Sequence, residues 1–271
     1  MGAVSSNSNR REQIRRQREA EARAQRTRRF IAIAAGLIAL ALVGILVYAL
    51  VAGPNARQTT NPAGTSTTPT TPLAAQLTPA GASTDKNAIV VAHGRPGTPT
   101  VTLYLDYQCP NCRSFEEGFG AMLADTAKAG DWTLQYKTMT FMDNNLQNTA
   151  STRAALAASC AADTEQYEAY HQQVYGHQAL QEVRGSEGYS DVLLRETIPA
   201  AVGITGDALT TFRACYDGRA TQDFVAQVDA SAKADKVTGT PTLAVNGKKV
   251  DFNQVKPFTP DGLKAYLLAN A

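Results

Sequence analysis

A run of 23 residues without a charged side chain, residues 30–52, constrains this chain more than any other feature. At about 1.5 Å per helical residue, it is long enough to cross a hydrocarbon layer of about 30 Å. Nine arginines and three glutamates precede it, whereas Arg57 alone follows closely. This asymmetry predicts a single-pass protein of the cell membrane, with residues 1–29 as a basic cytoplasmic tail and everything after residue 52 extracytoplasmic.

The uncharged run could be retained as a membrane anchor or removed by cleavage. We interpret residues 30–52 as an uncleaved signal-anchor, because an ordinary secretory apolar region spans about 7 to 15 residues. Cleavage near Val51-Ala52-Gly53 is the alternative. The arginine run has an alternative as well, as an arm that binds nucleic acid. No aromatic residue lies between the arginines, and they adjoin the apolar run. We therefore interpret them as the charges that orient the protein in the membrane, and we predict no nucleic-acid partner.

Residues 53–84 have the composition of a tether. Five of the chain's 12 prolines and eight threonines fall within residues 54–83. Prolines favour extended backbone, and little apolar surface is present to offset the entropy of ordering. We therefore predict a Thr/Pro-rich linker over residues 53–84 and one globular domain over residues 85–271, a length within the usual range for a domain.

Strand and helix periodicities alternate within residues 85–271. Strands are predicted at residues 88–92, 101–105, 132–140, 242–245 and 248–252, and helices at 110–129, 146–162, 165–178, 189–198, 207–216, 220–236 and 260–269. Asn246-Gly247 predicts a type I′ hairpin turn. This order predicts an α/β fold, with a central mixed sheet flanked by helices and an all-helical insertion over about 145–236.

The segment Cys109-Pro110-Asn111-Cys112 follows a predicted strand directly, and Pro110 suits the first turn of a helix. Free backbone amides and the partial positive charge of a helix start favour the thiolate form of Cys109. Cys112 lies one turn further on the same face, where it can close a disulfide. We assign Cys109 the exposed, attacked role and Cys112 the resolving role, in a redox-active disulfide that needs no cofactor.

The four cysteines allow other uses. A zinc site would need a second close pair or nearby histidines, but Cys160 and Cys215 are 55 positions apart and the three histidines have no zinc spacing, so no metal is predicted. An inert bridge between Cys109 and Cys112 is a further alternative. Cys160 and Cys215 are predicted to form a structural disulfide within the insertion, with a second redox centre or two free thiols as alternatives.

Three features carry a family resemblance: residues 104–112 around the paired cysteines, the helical insertion, and Val237-Thr238-Gly239-Thr240-Pro241-Thr242 before the hairpin. Over roughly residues 88–269 the chain resembles the thioredoxin-fold thiol oxidoreductases of the DsbA family. With its anchor, tether and extra cysteine pair it is most similar to the actinobacterial DsbA-like disulfide oxidases. The resemblance implies a thioredoxin fold and a cis Pro241 beside the active-site disulfide, with Thr240 offering backbone hydrogen bonds to an extended substrate peptide.

The residues around the motif carry their own expectations. Asn111 replaces the histidine of many strong oxidases of this family and offers only a neutral amide, which leaves the strength of oxidation open. Pro110 keeps the central dipeptide closer to the oxidases than to the Gly-Pro order of reducing thioredoxins. Asp106 is expected either to cap the turn or to tune proton transfers of the thiol pair. Glu116, one turn beyond Cys112, is expected to be a solvated helix charge.

These features predict a membrane-tethered thiol:disulfide oxidoreductase that introduces disulfide bonds into unfolded exported proteins with free thiols. The resemblance implies reoxidation by a quinone-linked membrane partner of the vitamin K epoxide reductase or DsbB type. A reductase or isomerase on the same fold is one alternative, although the tether leaves no room for a dimerisation domain. A non-catalytic tethered binding module is the other.

Overall fold

A five-stranded mixed sheet organises residues 75–271, the part of the chain that this computed structural model describes. The strands are β1 Ile89–Ala92, β2 Thr100–Leu105, β3 Thr133–Thr138, β4 Thr242–Val245 and β5 Lys248–Lys249. Their spatial order is β1-β3-β2-β4-β5, in which β2 and β3 are parallel and the other neighbours antiparallel. The predicted α/β class with a mixed sheet is confirmed.

The helices fill the connections between these strands. After β2 come α1 Pro110–Phe115, a π-helical turn Glu116–Gly120 and α2 Ala121–Lys128, and the chain closes with α9 Pro260–Ala269. Between β3 and β4 lie α3 Phe141–Leu146, α4 Ala150–Ala162, α5 Tyr167–Gly176, a π-helical turn Leu193–Thr197, α6 Ile198–Ala201, α7 Gly206–Asp217 and α8 Gln222–Ala234. This second group is the predicted helical insertion.

Some predicted elements differ from those observed, and the helix expected over 189–198 passes through the π-helical turn Leu193–Thr197 into α6. The helix expected from residue 146 is divided, because Gln147 adopts a left-handed φ of 55° that ends α3. The strand expected over 248–252 stops at Lys249 and is followed by a 3₁₀ turn, Phe252–Gln254. The helix expected over 110–129 passes through the π-helical turn Glu116–Gly120. The hairpin prediction is confirmed, since Asn246 and Gly247 have φ values of 48° and 79°.

The predicted tail 1–29, the predicted membrane span 30–52 and most of the predicted linker 53–84 lie outside the described residues. From residue 75 onward, no helix has both the length and the apolar character that crossing a membrane requires.

The last residues of the predicted linker contact the domain. The Leu77 N–H donates to the Ala220 carbonyl at 2.7 Å, and the Ala80 N–H donates to Asp163 at 2.6 Å. Packing of the chain against the helical insertion therefore begins before residue 85, because these backbone groups find partners there.

Helix α4 lies at the centre of the insertion. Eleven of its 13 residues are buried, and most of them are alanine. Such small side chains let neighbouring helices approach closely, and α4 contacts α5, α7 and α8. Cys160 of α4 and Cys215 of α7 form a disulfide with Cα atoms 5.9 Å apart, which confirms the predicted bridge.

We predict that the paired substitution Cys160→Ala and Cys215→Ala lowers the free energy of unfolding by about 4 kcal/mol, because the bridge restricts a long loop of the unfolded chain. Urea unfolding of the oxidised proteins measures the difference. The titration of Cys109 serves as the control and should not change, since the bridge is a structural element. A paired variant with wild-type stability would contradict the prediction.

Candidate active site

The backbone at the end of β2 places Cys109 at the start of a helix. Cys109 is the N-cap of α1, with φ −77° and ψ 117°, and Pro110 is the first helical residue. The Cys109 carbonyl accepts from the N–H groups of Cys112 and Arg113 at 3.1 and 3.2 Å. Pro110 has no N–H to leave unpaired in this first turn, so the local sequence dictates the geometry. The predicted strand-to-helix placement of the motif is confirmed.

Cys109 and Cys112 are both free thiols, and their surroundings differ. The Cys112 thiol, as a hydrogen-bond donor, is the largest influence on Cys109 and lowers its pKa to about 6, although burial opposes it. The side chain of Thr240 and the backbone N–H groups of Cys112 and Asn111 lower the pKa of Cys109 further. Near neutral pH the Cys109 sulfur is therefore mainly thiolate.

Cys112 has the opposite character. Burial raises the pKa of the Cys112 thiol far above its ordinary value, and the neighbouring Cys109 raises it further. Cys112 thus keeps its proton and donates it toward the Cys109 thiolate. An attacked and a resolving cysteine would require such an asymmetry, and these roles stay predictions.

Cys109 is less exposed than predicted. Its exposed fraction is 6%, against 1% for Cys112, so the predicted exposed position is wrong in degree. The cause is the loop before β4, because the Thr240 carbonyl oxygen lies 3.4 Å from the Cys109 sulfur. Pro110 and Asn111, by contrast, are exposed.

The loop with Thr240 and Pro241 contributes two groups to the site. The Thr240-Pro241 peptide bond is cis, as the family resemblance implies. The Thr240 hydroxyl is buried. The Thr240 side chain lowers the pKa of both cysteine thiols, and the Thr240 carbonyl oxygen lies 3.4 Å from the Cys109 sulfur, which brings the two sequence-predicted parts of the site together across 131 residues.

Asp106, the first residue of the turn that ends at Cys109, is fully buried. Its Oδ1 accepts from the Ser151 hydroxyl at 2.5 Å and from the Gln108 N–H at 2.9 Å, and its Oδ2 accepts from the Met142 N–H at 3.0 Å. Burial raises the pKa of Asp106 to about 7 despite these donors, each of which lowers it. Asp106 therefore caps the turn, and it also changes charge near neutral pH.

Side chains from the insertion satisfy the backbone carbonyls of the turn. Gln178 Nε2 donates to the carbonyls of Tyr107 and Cys109 at 2.7 and 3.1 Å, and the Tyr189 hydroxyl donates to the same Tyr107 carbonyl at 2.6 Å. The Tyr175 hydroxyl donates to the carbonyl of Asp106 at 3.2 Å. Sequence reasoning missed these residues, since no local pattern distinguishes them from other polar residues of a helical region.

Gln108 extends the contact to the first helices of the insertion. Its Nε2 donates to Asp143, Asn148 and Ser151 at 3.0, 2.9 and 2.9 Å. Asp143 in turn accepts from the N–H groups at the start of α4. The sequence does show a polar residue, Gln108, directly before the first cysteine. Its hydrogen-bond partners lie 35 to 43 positions away, so the local pattern does not identify them.

Glu116 is buried, so the expectation of a solvated helix charge is wrong. Its side chain is 1% exposed, with Oε1 3.4 Å from Nε2 of the fully buried His171. Gln172 donates to its other oxygen at 3.1 Å. Helix α5 covers the π-helical turn through His171 and Gln172, and a Cβ atom at Gly120 would collide with the Glu116 carboxyl group. The covering helix, which the local pattern does not reveal, accounts for the difference.

The chain matches one protein family and is similar to several solved structures. A family model described as Thioredoxin matches residues 87–267. The crystal structure of oxidised DsbA from Mycobacterium tuberculosis is 26% identical, with a TM-score of 0.52, and the match covers 66% of this chain and 90% of that one. A search of curated proteins found no match.

Two further solved structures share the fold. MdbA, a thiol-disulfide oxidoreductase from Actinomyces oris, is 20% identical with a TM-score of 0.57, and the match covers 72% of this chain and 97% of that one. BdbD from Bacillus subtilis is 21% identical with a TM-score of 0.53, and the match covers 71% and 96% respectively.

We predict that Thr240→Val raises the pKa of Cys109 above its value of about 6, because the side-chain hydroxyl that lowers this pKa is lost while the shape of the side chain is kept. The ultraviolet absorbance of the thiolate, followed against pH in the reduced protein, measures it. Thr238→Val, an exposed position in the same loop, is the control. Identical titrations of the two variants would contradict the prediction.

A second prediction concerns Asp106 and pH. Its pKa is raised from 3.8 to about 7 by folding, so its contribution to stability is complete below about pH 4 and is lost as the pH rises through 7. Asp106→Asn cannot titrate, and we expect it to remove this part of the decline.

The measurement is the free energy of unfolding from pH 4 to 8 in a Cys109→Ser background, where the thiolate does not contribute. The slope of the unfolding free energy against pH decides the outcome. The absolute values do not, because the side-chain amide of Asp106→Asn also places a donor near the Met142 N–H and lowers stability at every pH. Equal slopes with Asp106 and with Asn at this position would refute the role.

Proposed function

Because the chain belongs to the thioredoxin family and is a thiol-disulfide oxidoreductase of the DsbA type, we propose that it introduces disulfide bonds into exported proteins through Cys109 and Cys112. The observation that carries the proposal is the asymmetric pair at the start of α1. Cys109 has a pKa of about 6, and Cys112, one turn away, is held protonated by burial.

The chemistry begins with the oxidised pair. A substrate thiolate attacks the Cys109 sulfur, the Cys109–Cys112 bond breaks, and Cys112 leaves with the electron pair and takes up a proton. The second substrate thiolate then attacks the substrate sulfur of the mixed disulfide. Cys109 departs as a thiolate, and the substrate keeps the new disulfide. Two electrons have passed to the enzyme, and no cofactor is required.

The stabilised thiolate supports the oxidising direction. A thiol of low pKa is a good leaving group, so release of Cys109 from the mixed disulfide is fast. The same stabilisation favours the reduced enzyme over its disulfide, which makes the disulfide a stronger oxidant. The exposed Asn111 acts on Cys109 through its backbone N–H, so this effect needs no charged side chain at that position.

The cellular setting is also part of the proposal. The uncharged run 30–52 is proposed to anchor the protein, with the catalytic domain outside the cytoplasm. Turnover then requires an acceptor for two electrons, and we propose a quinone-linked membrane protein of the vitamin K epoxide reductase or DsbB type. The anchor and tether would hold the domain near such a partner.

We predict that Cys109→Ser abolishes oxidation of a reduced model peptide with two thiols. Cys112→Ser, incubated with the disulfide form of the same peptide, should accumulate a mixed disulfide, because the Cys109 thiolate attacks the peptide disulfide, one peptide sulfur leaves as a thiolate, and the resolving thiol is missing. Mass spectrometry of the trapped adduct and thiol quantification of the peptide report the two outcomes. Peptide oxidation by Cys109→Ser would end the assignment.

The direction of the reaction has its own measurement. We expect the Cys109/Cys112 pair to be more oxidising than glutathione when the two are equilibrated. A potential as low as that of thioredoxin would favour a reductase. A Cys109 that resists alkylation after mild reduction would favour the non-catalytic binding module.

A further inference from the structure

The segment that follows α5, residues 178–189, is bonded at both ends to the turn that carries Cys109, and we call it the flanking loop. At its start, Gln178 Nε2 donates to the Cys109 carbonyl at 3.1 Å. At its end, the Tyr189 hydroxyl donates to the Tyr107 carbonyl at 2.6 Å. The flanking loop therefore adjoins Cys109 directly.

The middle of the flanking loop is held by further hydrogen bonds. The Gly185 N–H donates to the Leu146 carbonyl at 2.7 Å. Arg153 donates to the Glu187 carbonyl at 2.6 Å. A loop fixed in this way has little freedom to lose when a ligand arrives, so its ordering does not oppose binding.

Two large apolar side chains of the flanking loop are exposed. Leu180 is 89% exposed and Val183 is 57% exposed. A single exposed apolar residue is ordinary, and an apolar patch is the feature that marks a binding surface. Leu180 and Val183 form such a patch because they lie three positions apart at the edge of a cavity.

The cavity opens to solvent between the flanking loop and Gln108, with an empty volume of about 330 Å³. Gln108 and Gln178 line it, but their side-chain nitrogens already donate within the protein. Four further lining residues are apolar or aromatic, and they are Leu146, Ala179, Val183 and Tyr189. The cavity is thus suited to an apolar group and adjoins Cys109 through two of its own lining residues.

Glu182 is the one charged residue that lines the cavity, and it is exposed. An acidic side chain that entered the cavity would be repelled by this carboxylate. An apolar side chain meets no such repulsion, and it removes apolar surface from water. Charge and lining therefore favour the same occupant.

We propose that the flanking loop and its cavity form a subsite for an apolar side chain of the polypeptide whose cysteine reacts at Cys109. The inference rests on the proposed function and names the substrate class: a reduced exported chain with an apolar residue near its cysteine and no acidic residue beside it. An extended chain advances about 3.3–3.6 Å per residue, so a residue about three positions from the substrate cysteine reaches the cavity. Gln108 and Gln178 make the subsite continuous with the candidate active site.

The chain offers a matched control for this subsite. Val192 is 67% exposed, against 57% for Val183, and it does not line the cavity. Val183→Ser and Val192→Ser therefore make the same chemical change at similar exposure, and only the first alters the subsite.

The experiment uses the full chain in detergent, with the disulfide between Cys109 and Cys112 formed. Three reduced peptides with two cysteines carry leucine, serine or aspartate three positions to either side of the first cysteine and are otherwise identical. Acid quenching and mass spectrometry give the second-order rate constant and the saturating rate of enzyme reduction. Dithiothreitol, a small dithiol without an apolar side chain, is the reference substrate.

We expect the unaltered chain to react with the leucine peptide roughly three- to tenfold faster than with the serine peptide, as partial burial of one apolar side chain supports. Val183→Ser should lower this preference by about threefold, through weaker saturation at an unchanged saturating rate, and Leu180→Ser should act likewise. Val192→Ser should keep the preference. The aspartate peptide should react most slowly, and Glu182→Gln should bring it to the rate of the serine peptide.

Equal rate constants for the leucine and serine peptides, or equal losses in Val183→Ser and Val192→Ser, would overturn the subsite. Sedimentation tests the other occupant, because self-association that Val183→Ser abolishes would assign the patch to a second copy of this chain and overturn the inference as well. The two proposals fail differently. Oxidation of dithiothreitol but of no peptide would end the proposed function and the subsite with it, whereas oxidation of all three peptides alike would end the subsite alone.

Discussion

The turn from Asp106 to Cys109 is buried although its backbone and two of its side chains are polar, and much of the structure follows from the need to satisfy these groups. Buried carbonyls without partners are costly, and this turn cannot use a regular ladder or helix for all of them. The partners come instead from Gln178, Tyr189 and Tyr175 of the insertion. The Cys109 sulfur is thus held by a backbone whose carbonyls are bonded by residues distant in the sequence.

The helical insertion is therefore part of the candidate active site and more than an addition to the sheet. Its alanine-rich α4 provides close packing, and the bridge between Cys160 and Cys215 ties α4 to α7. Ser151, at the start of α4, donates directly to Asp106. Helix α4, which carries this donor to the Asp106–Cys109 turn, is thus one of the two helices that the disulfide ties together.

The two cysteines acquire opposite chemistry from a separation of only one helical turn. The Cys112 thiol, the Thr240 side chain and the amides at the start of α1 lower the pKa of Cys109, whereas burial dominates at Cys112 and raises its pKa. The helix start comes from the local chain, and the Thr240 loop comes from the other end of the domain. The low pKa of Cys109 thus depends on both.

The sequence by itself determined the features that depend on local backbone chemistry. Pro110 dictated a helix start at Cys109, Asn246-Gly247 dictated the hairpin, and the alternating periodicities dictated a mixed sheet with a helical insertion. The tertiary structure decided which side chains are buried. It placed Glu116 against His171, reduced the exposed fraction of Cys109, and supplied the hydrogen-bond partners of Asp106. Backbone preferences are set by adjacent residues, whereas burial and hydrogen-bond partners depend on segments that pack from many positions away, which no local pattern can specify.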